Sequence, residues 1–253
     1  MLLNVVEEQK NSGLGGAVCE IGVHHGRLFI LLCLSTSSQE LAVAYDLFEN
    51  QEENTDGSGL GSLEKLFENM DKHDCDRWRV KAIAINSLKL DADRIIADCG
   101  SRPRLLSIDG GHSPELTLHD LEIASQTICD GGVIILDDFF NEAWPGVAEG
   151  TCRFMFRKPQ TLIPFAIAGN KVLLTNSEPW AIKYMSSLRK LGPNYAAKIS
   201  RLFNSEVLVL LHRYLPNRML LLGQVGRSTL WKKMRTTALG RLLRWVWRRW
   251  PAA

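Results

Sequence analysis

AVCEIGVHHGRLFILL, residues 17–32, is an apolar run ending in an acid, then two glycines with three residues between them, then a second apolar run at helical spacing. It reads as a buried strand (17–21) and a helix (26–34), with Glu20 at the strand's end and Gly22 and Gly26 in the turn. The same unit recurs downstream. LAVAYDLFE (41–49) is a second strand that reaches Asp46, and QEENTDGSG (51–59) is a polar loop. Residues 60–73 place apolar side chains at 60, 63, 66, 67 and 70, a helix with Ser62 as its N-cap. VKAIAI (80–85) is a third strand, DADRIIADC (91–99) a short helix and RLLSID (104–109) a fourth strand. SPELTLHDLEIASQTIC (113–129) opens as a helix should, with Ser at the N-cap and Pro at the first helical position. GGVIILDD (131–138) is the fifth strand. These strands are apolar throughout rather than alternating, as strands covered on both faces are. After a helix near 146–156, two apolar runs flank Gly169-Asn170 in TLIPFAIAGNKVLLTN (161–176), which predicts a hairpin. The reading is a parallel α/β sheet with an antiparallel edge.

Composition agrees with a folded protein. Of 253 residues, 45% are hydrophobic and 23% charged, enough apolar material for a full core. The start, MLLNVVEEQK, has no basic flank and predicts no secretory signal; no run is apolar for long enough to predict a spanning helix. The six cysteines (19, 33, 75, 99, 129, 152) form no CxxC pair and read as reduced residues of a cytoplasmic protein.

In an open α/β sheet, ligands sit at the carboxyl ends of the strands. Glu20 and Gly22 lie there, ahead of a helix N-terminus. The spacing is ExGxxxG, without the third glycine of a pyrophosphate-binding GxGxxG. Asp46, twenty residues past Gly26, is placed to accept hydrogen bonds from ribose hydroxyls. This predicts a nucleoside cofactor without a pyrophosphate. S-adenosylmethionine fits, its ammonium group facing Glu20 and its ribose facing Asp46.

SIDGGHSPE (107–115) and ILDDFFNEAWPG (135–146) put Asp109, Asp137 and Asp138 at the tips of strands four and five. Three converging carboxylates repel unless a cation lies between them, and Mg²⁺ is the first choice for oxygen ligands. A bound metal would lower the pKa of a substrate hydroxyl. His112 and Asp109 are the candidate catalytic groups, His112 as general base. No Cys/His spacing supports zinc.

The segments EIGVHHGRLF, LLSIDGGHSPELTLHDLEIA and DGGVIILDDFFNEAWPGVAEG together resemble the class I S-adenosylmethionine-dependent methyltransferases. They are most similar to the macrocin- and novobiocin-type sugar O-methyltransferases and their polysaccharide-cluster relatives. The resemblance spans residues 15–176. It implies a Rossmann-like seven-stranded sheet with a reversed last strand. It implies cofactor contacts from Glu20, Gly22 and Asp46, with Asn86 and Ser87 near the adenine, and Mg²⁺ on Asp109, Asp137 and Asp138. It implies methyl transfer to a hydroxyl of a sugar or small polyol. Two other functions are weighed: an NAD-dependent oxidoreductase, and a non-catalytic methyltransferase-like module tethered to a membrane or partner.

The predicted domains are a cofactor-binding domain (1–178) and a helical C-terminal extension (179–253). Residues 178–191 and 196–215 read as helices. Residues 207–253 hold ten Lys or Arg and no acid, against a net charge of −8 for the first 206 residues. Four of the seven Trp fall in 228–250, where apolar residues recur at helical spacing. A basic amphipathic helix with Trp suits an anionic membrane surface, where each Lys or Arg contributes about 1 kcal/mol. The alternatives are packing on the core or a contact in a homo-oligomer. The acidic body argues against nucleic acid.

Overall fold

A computed structural model describes residues 1–191 and 195–212. Among these residues, nine strands form one sheet. They are β1 (Val18–Ile21), β2 (Ala42–Asp46), β3 (Val80–Ala84), β4 (Leu105–Ile108), β5 (Val133–Leu136), β6 (Ile163–Ala168), β7 (Lys171–Thr175), β8 (Tyr195–Leu202) and β9 (Ser205–His212). Their order is β3-β2-β1-β4-β5-β7-β6-β9-β8. β1 to β5 pair in parallel, and β7 runs antiparallel to both β5 and β6. The chain moves outward from β1 in one direction to β2 and β3 and in the other to β4 and β5, so the switch point lies between β1 and β4.

The helices are α1 (Leu2–Asn11), α2 (Phe29–Ser35), α3 (Leu63–Lys72), α4 (Ala92–Cys99), α5 (Pro114–Thr127), α6 (Pro145–Arg157) and α7 (Glu178–Leu188). Start signals read from the sequence are present in the structure. Ser62 accepts from Lys65 N at the start of α3, and Ser113 accepts from Leu116 N with Pro114 at the first turn of α5.

Strand side chains alternate between two cores. Val18, Ala42, Ala44, Leu105, Val133 and Ile135 join Phe29, Leu66 and Tyr184 of α2, α3 and α7 on one face. Cys19, Ile21, Val43, Leu106, Ile108 and Ile134 join Ile95, Leu121 and Phe154 of α4, α5 and α6 on the other. All six cysteines are free, and four are buried.

Arg104 is fully buried yet fully engaged. Its guanidinium pairs with Glu40 (Nε–Oε1 2.9 Å) and donates to Gln9 Oε1 and the Ser35 carbonyl. Gln9 Nε2 returns bonds to the Arg104 carbonyl and the Tyr184 hydroxyl. One charged side chain thereby ties α1, the end of α2, β4 and α7 together. Burial acts to raise the Glu40 carboxyl, but bonds from Arg104, Ser37 and Gly16 hold it down at about 2.

Two expectations are corrected. β1 to β7 form the expected seven-stranded sheet with a reversed β7, but β9 and β8 extend its edge to nine strands among the described residues, and residues 196–212 are strand and turn rather than helix. β9 pairs in parallel with β6 (Ala166↔Leu208), covering an edge that would otherwise expose unpaired backbone groups. The link between β8 and β9 is Phe203-Asn204, both at positive φ (47° and 64°), the backbone of a tight hairpin turn. A short apolar run suits either element, and the free edge of β6 decides for strand. Residues 1–211 form one compact unit, which includes α7 and most of the β8–β9 hairpin. Among the described residues, no helix is long and apolar enough to cross a membrane. The basic segment 228–250 lies outside the described residues.

Candidate active site

A cavity of about 810 Å³ opens at the carboxyl ends of β1, β2, β4 and β5. Its wall includes Glu20, Gly22, Asp46, Asn86, Ser87, Asp109, His112, Asp137 and Asp138. Both sets of acids predicted from the sequence therefore face one space, because parallel strands end on the same rim.

Glu20 lies beside Ser107 of β4 in register and is 1% exposed. Its Oε2 and the Ser107 hydroxyl have no hydrogen-bond partner among the described residues. Burial first, and Asp109 second, push the Glu20 carboxyl well above the usual carboxylate range. A buried carboxylate with an unused oxygen at a cavity wall suits a cationic ligand group.

Asp46 shapes the cavity as much as it lines it. Its Oδ2 accepts from Val23 N and His24 N, both at 2.7 Å, and its Oδ1 accepts from Phe48 N at 2.7 Å. Oδ1 keeps one lone-pair direction for a hydroxyl. Gly22, at φ 82°, has no room for a side chain: a Cβ there would meet the Asp109 carbonyl oxygen at 2.0 Å. Its glycine serves the β1–β4 approach as well as the cavity. Gly26 is a correction. It does not line the cavity, and a Cβ on it would meet Leu66 Cδ1 of α3 at 2.5 Å, so its bareness serves helix packing. Asn86 accepts from Leu88 N and opens the short turn Ser87–Lys89 beside β3.

At the other end of the cavity, Asp109, His112 and Asp138 each offer a ligand atom within 4.8 Å of the others. His112 Nε2 is 3.2 Å from Asp138 Oδ2, and its Nδ1 is 2.9 Å from Asp56 Oδ2. The Trp144 ring stacks on the imidazole at 4.2 Å. Asp138 stands at φ 57°, a left-handed conformation that aspartate tolerates, and accepts from Asn141 and Asn170. Burial, then the neighbouring Asp137, raises the Asp109 carboxyl to about 8. Asp137 differs from the predicted metal set: its Oδ2 is ion-paired with Lys171, and its Oδ1 accepts from Asp138 N. His112 takes its place beside Asp109 and Asp138.

Lys171, Asp56 and Asn170 were not singled out from the sequence. Lys171 was open to inference: β7 runs antiparallel to β5 with Val172 opposite Leu136, which sets the next pair, Lys171 and Asp137, side by side. Asp56 gives no such signal, since DGSG reads as an ordinary turn.

Residues 19–139 match the family profile described as a methyltransferase domain. A search of the curated proteins finds no match. Among solved structures, the chain is similar to the O-methyltransferase NovP, with a TM-score of 0.53 and 18% identity over 69% of this chain and 78% of that one. It is also similar to the apo form of CalS11, a TDP-rhamnose 3'-O-methyltransferase of calicheamicin biosynthesis. There the TM-score is 0.50 and the identity 17%, over 69% of this chain and 79% of that one. These likenesses carry the fold, and the profile match covers its first five strands. The strand order and the acids gathered on one rim agree with the fold of these solved O-methyltransferases, and residues 19–139 match the methyltransferase-domain profile.

Proposed function

We propose that the protein transfers a methyl group from S-adenosylmethionine to a hydroxyl of a sugar or small polyol, with a divalent cation, Mg²⁺ foremost, assisting. The observation that carries this reading is the shared cavity. It has a buried, unpartnered Glu20 oxygen at one end and the Asp109, His112 and Asp138 group at the other. The cofactor fits the first part: Glu20 suits its ammonium group, and Asp46, Asn86 and Ser87 line the space for its nucleoside. When bound, it supplies an electrophilic methyl group on a cationic sulfur.

The second part fits a hard cation. Two carboxylates and an imidazole converge there, and Asp109 sits among like charges. Asp109 and Asp138 would hold the ion, whose chemistry is to lower the pKa of a hydroxyl, and His112 stands beside them for the proton. His112 Nε2 is placed to accept a hydroxyl proton. Trp144 stacks on the His112 ring at 4.2 Å. The fold's similarity to a TDP-rhamnose methyltransferase supports a sugar acceptor.

Calorimetry with S-adenosylhomocysteine, with NADH as competitor, tests the cofactor: tight binding that NADH does not displace is expected. A screen of nucleotide sugars and free polyols, with EDTA and with Mg²⁺ restored, tests the rest. Turnover unaffected by EDTA would remove the cation from this reading, and absence of S-adenosylhomocysteine binding would remove the reading itself.

A further inference from the structure

The loop between β2 and α3 reaches over the cavity and touches the opposite side at one residue. Asp56 Oδ2 accepts the backbone N–H of His112 at 2.7 Å and lies 2.9 Å from Nδ1 of the same residue. Its Oδ1 accepts from Ser58 N at 2.9 Å and from the Ser58 hydroxyl. Both oxygens therefore receive donors, and the carboxylate is held as an acceptor. The loop holds its own shape: Asn54 Nδ2 donates to Gln51 Oε1 and to the Ser58 carbonyl, and Glu53 pairs with Lys89. His112 has 11% side-chain exposure, with Trp144 stacked on its face and Asp138 at its other nitrogen.

Both ring nitrogens face a carboxylate, Nδ1 that of Asp56 at 2.9 Å and Nε2 that of Asp138 at 3.2 Å; the shorter contact, anchored by the His112 backbone N–H on the same Asp56 oxygen, takes the single hydrogen of the neutral ring. In the neutral ring the lone pair then falls on the other nitrogen. We infer that Asp56 is the positioning residue for His112: it fixes the ring as the Nδ1–H tautomer and so presents Nε2 as the proton acceptor toward Asp109 and Asp138. This rests on the proposed function only for the use made of Nε2. The orientation follows from the hydrogen bonds themselves. The loop that covers the cavity thus also sets the chemistry at its far end.

Two-bond ¹H–¹⁵N spectra of the full-length protein test the tautomer directly, with His112→Gln used to assign the signal. In the neutral ring, a protonated-type shift at Nδ1 and an unprotonated one at Nε2 are expected. Asp56→Asn, whose amide can also donate to Nδ1, should move the population toward Nε2–H. That variant should lower kcat by about 10²- to 10⁴-fold, the scale seen when a triad histidine loses its orienting carboxylate. The KM for S-adenosylmethionine should not change, and Asp56→Glu should recover part of kcat. A wild-type ring with its hydrogen on Nε2 would overturn the inference, and so would an Asp56→Asn variant that leaves both tautomer and kcat unchanged. The wild-type spectrum decides even if Asp56→Asn does not fold. An Nδ1–H ring in a protein that methylates no acceptor would count against the proposed function while leaving the positioning role in place.

Discussion

Glu20 is held against its own electrostatics: burial and Asp109 oppose its ionised form, and no described residue uses its Oε2. Glu20→Gln removes the charge and keeps the shape. A hydrogen bond to a charged group contributes about 1.5–3 kcal/mol, so affinity for S-adenosylhomocysteine should fall roughly 10- to 100-fold by calorimetry. The melting temperature of the free protein at neutral pH should hold or rise, because the folded state no longer opposes a buried charge. The sign follows from linkage: a carboxyl raised on folding costs stability once the pH exceeds its unfolded value. Gly22 is constrained differently. Gly22→Ala puts a methyl group against the Asp109 carbonyl at a φ of 82°. Left-handed strain of about 1–2 kcal/mol and overpacking of about 1–3 kcal/mol should together lower the unfolding free energy by about 2–5 kcal/mol in urea. Loss of cofactor binding with unchanged stability would show instead that Gly22 matters only to the ligand.

Elements are joined by polar as well as apolar contacts. Arg104 links four of them from a fully buried position, so Arg104→Leu leaves Glu40 and Gln9 without their partner. Breaking a buried pair this way costs about 3–5 kcal/mol, measurable as a lower urea midpoint with an unchanged m-value. Glu40 adds a pH signature. Its folded carboxyl sits at about 2, below the ordinary range, so it stabilises the fold above pH ~4.5. That contribution should be lost as the pH falls toward 2. In Glu40→Gln this part of the acid limb should flatten; an identical acid profile would mean that the pair is not formed. The β8–β9 hairpin acts on the site from outside: Phe203 at its turn packs edge-on against Phe139, the residue after Asp138.

At the scale of the whole molecule, charge is segregated: a net of −8 up to residue 206 and ten basic residues after it. The expectation of an anionic membrane surface is tested by flotation with vesicles containing phosphatidylserine. The full chain should float, and added salt should release it. Replacing Arg241, Arg244, Arg248 and Arg249 with Glu in the full chain should abolish flotation. Equal recovery of both proteins would remove the membrane from the account.

Much of this molecule is determined by the sequence alone. Five apolar strands alternate with helices whose caps, Ser62 and Ser113, are local chemistry, so the succession of elements and their parallel sense follow from short-range patterns. Acids at four strand ends must then share a rim, because parallel strands all finish on the same side. Tertiary structure decided what depends on partners distant in the chain. Residues 196–212 became strand because β6 offered an open edge. Asp137 was taken by Lys171 across the β5–β7 pair, and His112 was turned by a loop 56 residues earlier. Gly26 went to helix packing because Leu66 came to lie against it. Local pattern encodes backbone conformation, whereas the partner of a buried charge is fixed only when the folded chain brings the two within reach.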